Sequence, residues 1–140
     1  MKIIVLGAGQ VGSTVAQSLA SEHNNEVTVV DTDKSVLAEL GSRLDLNTVV
    51  GYASYPEVLR QAGAEDADMI IAATDSDETN IVAIQIAYTL FKTPNKIARI
   101  RSTDYLREKD LFSNNHIPIN VLVSPEPVSY THLRAHETDS

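Results

Sequence analysis

The chain has 140 residues, 43% of them hydrophobic and 21% charged, with 19 acidic against 11 basic side chains and a net charge of −8. That length suits one ordinary core, and the composition lies near the globular average, against a disordered chain. An acidic surface without a basic stripe argues against nucleic acid or anionic lipid as partner, and a chain without cysteine has no disulfide or thiolate metal site.

The first element is "KIIVL", a strand over Lys2 to Leu6, and "GAGQVG" leads from it into a helix over Gln10 to Ser21. A second strand over Glu26 to Asp31, a helix over Lys34 to Leu40 and a strand over Asn47 to Gly51 follow. The pattern continues with a helix over Tyr55 to Ala62, a strand over Asp68 to Ala73 and a helix over Asp77 to Phe91. A strand over Lys96 to Ile100, a helix over Asp104 to Asp110 and a sixth strand near Ile119 to Val123 complete it. Short β-branched runs alternating with helical spacing predict a doubly wound, mainly parallel α/β sheet of the Rossmann type. Near-continuous apolar runs such as "IIVL" and "MIIAA" fit strands buried on both faces. Six such strands predict the order 3-2-1-4-5-6, with a ligand crevice beyond the carboxyl ends of strands one and four.

The helix from Asp77 carries two apolar stripes: Ile81, Ile84, Tyr88 and Phe91 on one, Val82, Ile86 and Leu90 on the other. One sheet covers only one of them. Either a later part of the chain or a second subunit packs on the other, and the second subunit is the preferred reading.

Within "GAGQVG" (Gly7, Ala8, Gly9, Gln10, Val11, Gly12) the glycines have G-x-G-x-x-G spacing between a strand and a helix, the context that gives the motif its mechanics. Gly7 serves a tight turn, Gly9 removes the side chain that would block a pyrophosphate, and Gly12 permits close helix packing. No carboxylate from Gln10 to Thr14 competes for the helix start, so its amides are free for an anion. The fourth helix instead begins "SDETN", where Ser76 caps and Asp77 and Glu78 answer the dipole.

Asp31 ends the second strand in "VVDTD", at the interval where an acid takes the adenosine ribose hydroxyls. With Thr32 and Asp33 after it and no arginine beside it, NADP is disfavoured, Lys34 being the counterweight. The bland alternative makes the glycines a plain turn and Asp31 the cap of the next helix. ATP, ADP and AMP share adenosine and phosphate with NAD, so the fingerprint alone does not demand a nicotinamide. Topology adds Gly51, Tyr52, Ala53 and Ser54 after strand three and Ala73, Thr74 and Asp75 after strand four as crevice positions. Arg99 and Arg101 fall on one face near the end of strand five, and a buried arginine needs an anion. That anion is a nucleotide phosphate, or a carboxylate such as Asp75 or Asp104 in a structural ion pair.

A dehydrogenase needs a general acid or base beside the hydride, usually from a second domain, and no second domain fits this length. His23 and His116 fall in polar turns and His132 and His136 near the end, none with an orienting partner. The His132 and His136 pair lacks the glutamate of a zinc-protease helix. No metal site and no catalytic residue are expected, and the rival reading is a small NAD-dependent oxidoreductase or a fragment of one.

"KIIVLGAGQVGSTVAQSLA", "VVDTDKSVLAEL", "VLRQAGAEDADMIIAATDSDETNIVAIQIAYTLF" and "KIARIRSTDY" together resemble the N-terminal regulator-of-conductance family (RCK, KTN or TrkA-N) of bacterial Trk potassium uptake, over about residues 1 to 127. The resemblance implies a non-catalytic nucleotide sensor that binds NAD(H) or ATP/ADP in homodimers within larger rings, docked on a membrane potassium channel subunit of the Trk type. Carried over by position, Gly7, Gly9 and Gly12 hold the phosphates, Asp31 the ribose, Ala53 and Ser54 the adenine side, and Thr74 and Asp75 the far side. Arg99 and Arg101 meet phosphate. Gln10 departs from the arginine some relatives place within the glycine motif, and Tyr52 from a small polar residue. Nothing at Met1 or Lys2 resembles a signal peptide, and no run reaches about 18 apolar residues. The expected location is therefore cytoplasmic, at the inner face of the membrane through the channel partner. The stretch 128–140, "VSYTHLRAHETDS", leaves the family pattern and resembles appended sequence.

Overall fold

Every side chain of Lys2–Leu6 (β1) after Lys2 is buried, as a strand covered on both faces requires. The computed structural model describes residues 1–113 and 115–123; the expected boundary at residue 127, the 128–140 stretch, His132 and His136 lie outside them. β1 sits inside a six-stranded sheet with Glu26–Asp31 (β2), Asn47–Val50 (β3), Met69–Ala72 (β4), Asn95–Arg99 (β5) and Val121–Val123 (β6). The order is β3-β2-β1-β4-β5-β6 and every pairing is parallel. Direction of winding reverses between β1 and β4, which opens a crevice at their carboxyl ends.

The strand period of two divides the core. Ile3 and Val5 join Val27, Val29 and Ile71 under Gln10–Ala20 (α1) and Lys34–Arg43 (α2). Ile4 and Leu6 face the other way, with Val30, Ile70 and Ala98, under Pro56–Gln61 (α3) and Asp77–Ile86 (α4). Thr103–Leu106 (α5) follows β5.

Four local differences from the sequence pattern have physical causes. α2 continues past Leu40 to Arg43, because Gly41 is absorbed into the helix and Glu39 and Arg43 pair one turn apart at 2.8 Å. α4 stays α-helical only to Ile86, after which Ala87–Phe91 loosens into a π turn closed by Lys92 at φ 54°. The helix expected over Asp104 to Asp110 is divided into α5 and a 3-10 turn at Lys109–Leu111. The break near Glu108 lets Leu106 and Phe112 both reach the core. β6 starts two residues later than expected, since the Asn120 side chain accepts from the Lys96 amide (2.9 Å) before the ladder begins.

Of the two stripes on the fourth helix, Ile84 is buried, and Ile81, Ile86 and Phe91 pack on the same core as the later residues Phe112, Ile117 and Ile119. Ile86 of the second stripe is thus half-buried against this core. Val82, Tyr88 and Leu90 remain 45%, 44% and 53% exposed. No helix among the described residues is long and apolar enough to cross a membrane.

Candidate functional site

The turn between β1 and α1 is built around backbone. Gly7 stands at φ 104°, and a Cβ there would meet the Ala73 carbonyl oxygen at 2.8 Å and Thr74 Cα at 2.9 Å. A Cβ on Gly12 would overlap the Gly7 carbonyl oxygen. Both positions are therefore demanded by the fold itself. Gly9 differs: its φ of −74° suits any residue, and a Cβ there would have no atom of the described residues within 4 Å. The chain's own packing gives no reason for Gly9 to be bare. It also begins a helix that has no side-chain cap and no acid in its first turn, leaving its first amides available to an anion.

Asp31, at the end of β2, accepts from the Ala8 amide through Oδ1 (2.9 Å) and from the Asp33 amide through Oδ2 (2.8 Å). It ties the glycine turn to β2 while each oxygen keeps acceptor capacity for a ligand hydroxyl. The cap of α2 is Asp33, not Asp31: its carboxylate accepts from the Ser35 and Val36 amides at 3.0 and 3.2 Å. The Ser35 hydroxyl, then the Val36 amide, hold the Asp33 carboxyl below its ordinary value.

These parts enclose a hollow of about 470 Å³ lined by Gly7, Gly9, Gln10, Val11, Asp31, Thr32, Ala73, Thr74, Asp75 and Arg99. An annex of about 150 Å³ shares Gly7, Asp31, Thr32, Thr74 and Asp75 with it and adds Val30, Gly51, Tyr52, Ala53, Ser76 and Thr79. A larger and a smaller compartment thus share a wall that includes Asp31. Most residues singled out in the sequence are brought together here, and a few are not. Ala8 and Gly12 are buried behind the turn, Asp33 faces α2, and Ser54 lines neither space. Arg101 is exposed and borders a separate open depression of about 450 Å³ with Asp75, Ser76, Asp77, Glu78 and Ser102.

Arg99 ends β5 at the wall of the hollow. Among the described residues neither expected carboxylate pairs with it: Asp104 pairs with Arg107 at 3.0 Å, and Asp75 makes no salt bridge. Among the described residues the guanidinium has one long bond, Nη1 to the Thr74 carbonyl oxygen at 3.4 Å, and its buried Nε has no partner. A buried charged donor left unpartnered is costly, and an anion in the hollow removes that cost.

Ser76 and Thr79 were missed as annex residues: a helix cap accounts for Ser76 locally, and no sequence signal marks the half-buried Thr79. Asn80 was also missed. A fully buried amide inside an apolar helix is an unfavourable choice there, and that is the signal it left. His23 and His116 are exposed and line neither compartment.

A parallel sheet that reverses at β1 and β4, with a bare glycine turn and an acid closing β2, defines the Rossmann class of α/β domain. Within that class the chain belongs to the TrkA-N domain family, which matches residues 3–125. It is 60% identical over 134 residues to the Trk system potassium uptake protein TrkA of Halomonas elongata, covering 96% of this chain and 29% of that protein. The chain thus spans less than a third of that relative's length. In structure it is similar to the TrkA-N domain of the inner membrane protein ybaL from Escherichia coli, with a TM-score of 0.78, 22% identity, and coverage of 96% of this chain and 95% of that one. It is also similar to the GsuK channel bound to NAD, with a TM-score of 0.71, 22% identity, and coverage of 87% of this chain and 21% of that one.

Proposed function

We propose that this chain is the nucleotide-sensing domain of a potassium-uptake regulator, with NAD(H) as its ligand and ATP or ADP as competitors for the same hollow. The observation that carries the reading is Arg99, whose buried Nε, at the wall of the glycine-lined hollow, lacks a partner among the described residues. In this reading the diphosphate rests on the free amides of α1 beside bare Gly9 and draws the Arg99 guanidinium. Asp31 takes the ribose hydroxyls, and the annex at Tyr52 and Ala53 takes the adenine side. The name of the Halomonas relative supports the potassium-uptake role, and the NAD in the similar GsuK channel supports the dinucleotide.

Residues 1–127 form the regulatory domain in this reading, and they act by binding rather than by catalysis. A nucleotide shifts an assembly of such domains only by its preference for one of that assembly's states. The assembly is a homodimer or a larger ring, held at the inner face of the membrane by a Trk-type channel subunit. The exposed Val82, Tyr88 and Leu90 on and beyond α4 supply an apolar contact for it.

The test is titration calorimetry of NADH, NAD, ATP and ADP against the purified chain and its Arg99→Gln variant. The variant loses roughly 1.5 to 3 kcal/mol of affinity if the guanidinium bonds phosphate. Unchanged affinity removes Arg99 from the site, and absence of binding by all four nucleotides ends the reading. Substrate-dependent change in nicotinamide absorbance would replace the sensor by an oxidoreductase.

A further inference from the structure

Asn80 is 0% exposed inside α4, where a short amide competes with the helix backbone and is normally avoided. All its side-chain hydrogen-bonding capacity points out of the helix. Oδ1 accepts from the Thr74 amide at 3.0 Å and the Thr74 hydroxyl at 2.7 Å. Nδ2 donates to the carbonyl oxygens of Thr74 at 3.2 Å and Arg99 at 2.7 Å. An amide with both donors and both acceptor positions used has one orientation. This one ties the segment leaving β4 to the last residue of β5, 25 positions apart in sequence.

Thr74 and Arg99 both line the hollow, and the Arg99 guanidinium reaches across to Thr74. The Thr74 carbonyl oxygen that accepts from Asn80 is also the only oxygen within reach of Arg99 Nη1 among the described residues. Asp77, one turn earlier on α4, accepts from the Arg101 and Ser102 amides at 2.9 and 2.8 Å. It holds the next stretch of chain without touching Thr74 or the Arg99 carbonyl. Asn80 alone among the described side chains bonds both Thr74 and the Arg99 backbone.

We infer that Asn80 is the positioning residue of the hollow: it touches no ligand, and by spacing Thr74 from Arg99 it aims the guanidinium at the phosphate place before the nucleotide arrives. A guanidinium held in place in advance loses less freedom on binding. The inference rests on the nucleotide reading above.

A double-mutant cycle tests it, with NADH as the probe and calorimetry of the purified chain carrying Asn80→Asp, Arg99→Gln, or both. Asn80→Asp keeps the shape and replaces the donor facing two carbonyls by an acceptor. It weakens NADH about tenfold in the native background and less than about twofold beside Arg99→Gln, because one interaction is lost only once. Equal losses in the two backgrounds, or no loss in either, overturn the inference and leave the nucleotide reading standing. A native chain that binds none of NADH, ADP and ATP overturns both. Should Asn80→Asp lack the native far-ultraviolet dichroism, Asn80→Ser takes its place in the same cycle with the same criteria.

Discussion

Gly9 and Gly12 are separated by one helical turn, yet their bareness has different origins. A Cβ at Gly12 would overlap the Gly7 carbonyl oxygen, whereas one at Gly9 would meet no atom of the described residues within 4 Å. Gly12→Ala should therefore cost at least ~3 kcal/mol of stability in denaturant unfolding, the range of a severe backbone clash. Gly9→Ser should keep or raise Tm, since serine is a good helix cap, and should weaken NADH more than about tenfold because its hydroxyl takes the α1 amides. A Gly9→Ser chain that binds NADH normally would show that the phosphate does not sit on those amides. Arg99 belongs to the same scale: its buried Nε has no partner among the described residues, and in the proposed reading a phosphate supplies one.

At the scale of elements, α1 and α2 show how a helix start is either used or left open. α2 is closed by Asp33, which accepts from two amides and the Ser35 hydroxyl. Its carboxyl is held below the ordinary value by those bonds. A depressed acid stabilises the fold above its unfolded-state value, and that contribution is lost as pH falls through the folded value. Asp33→Ala should thus lower Tm by a few degrees near neutral pH. The gap between variant and native chain should close on acidification through the carboxylate range in thermal melts at graded pH. α1 has no such cap, and its charge-free first turn is what the proposed phosphate would occupy.

Across the whole molecule, the hollow is lined from the ends of β1, β2, β4 and β5, so the proposed nucleotide would couple elements from both sides of the sheet reversal. Saturating NADH at 100 times its dissociation constant should add roughly 2.7 kcal/mol to unfolding, seen as a raised calorimetric Tm that Arg99→Gln reduces at the same concentration. In the proposed assembly the exposed Tyr88 and Leu90 and their neighbour Val82 supply the contact. Leu90→Asp should lower the mass measured by light scattering while leaving the far-ultraviolet dichroism unchanged. An unchanged mass would place the contact between copies elsewhere.

Much of this was legible in the chain itself, because it depends on neighbours in sequence. The glycine fingerprint, the Asp31 terminus of β2, the Ser76 cap and the strand order follow from local spacing and from the handedness of strand–helix–strand crossovers. Tertiary structure alone decided matters that depend on distance between remote residues. It separated Arg99, at the hollow, from Arg101, at the outer depression, although a strand period of two puts both on one face. It left Arg99 without a salt bridge to Asp75 or Asp104, and it decided which groups the Asn80 amide meets, Thr74 and the Arg99 carbonyl. Periodicity reports which face a side chain takes; which atoms meet across 25 residues of chain is settled only when the strands are laid side by side.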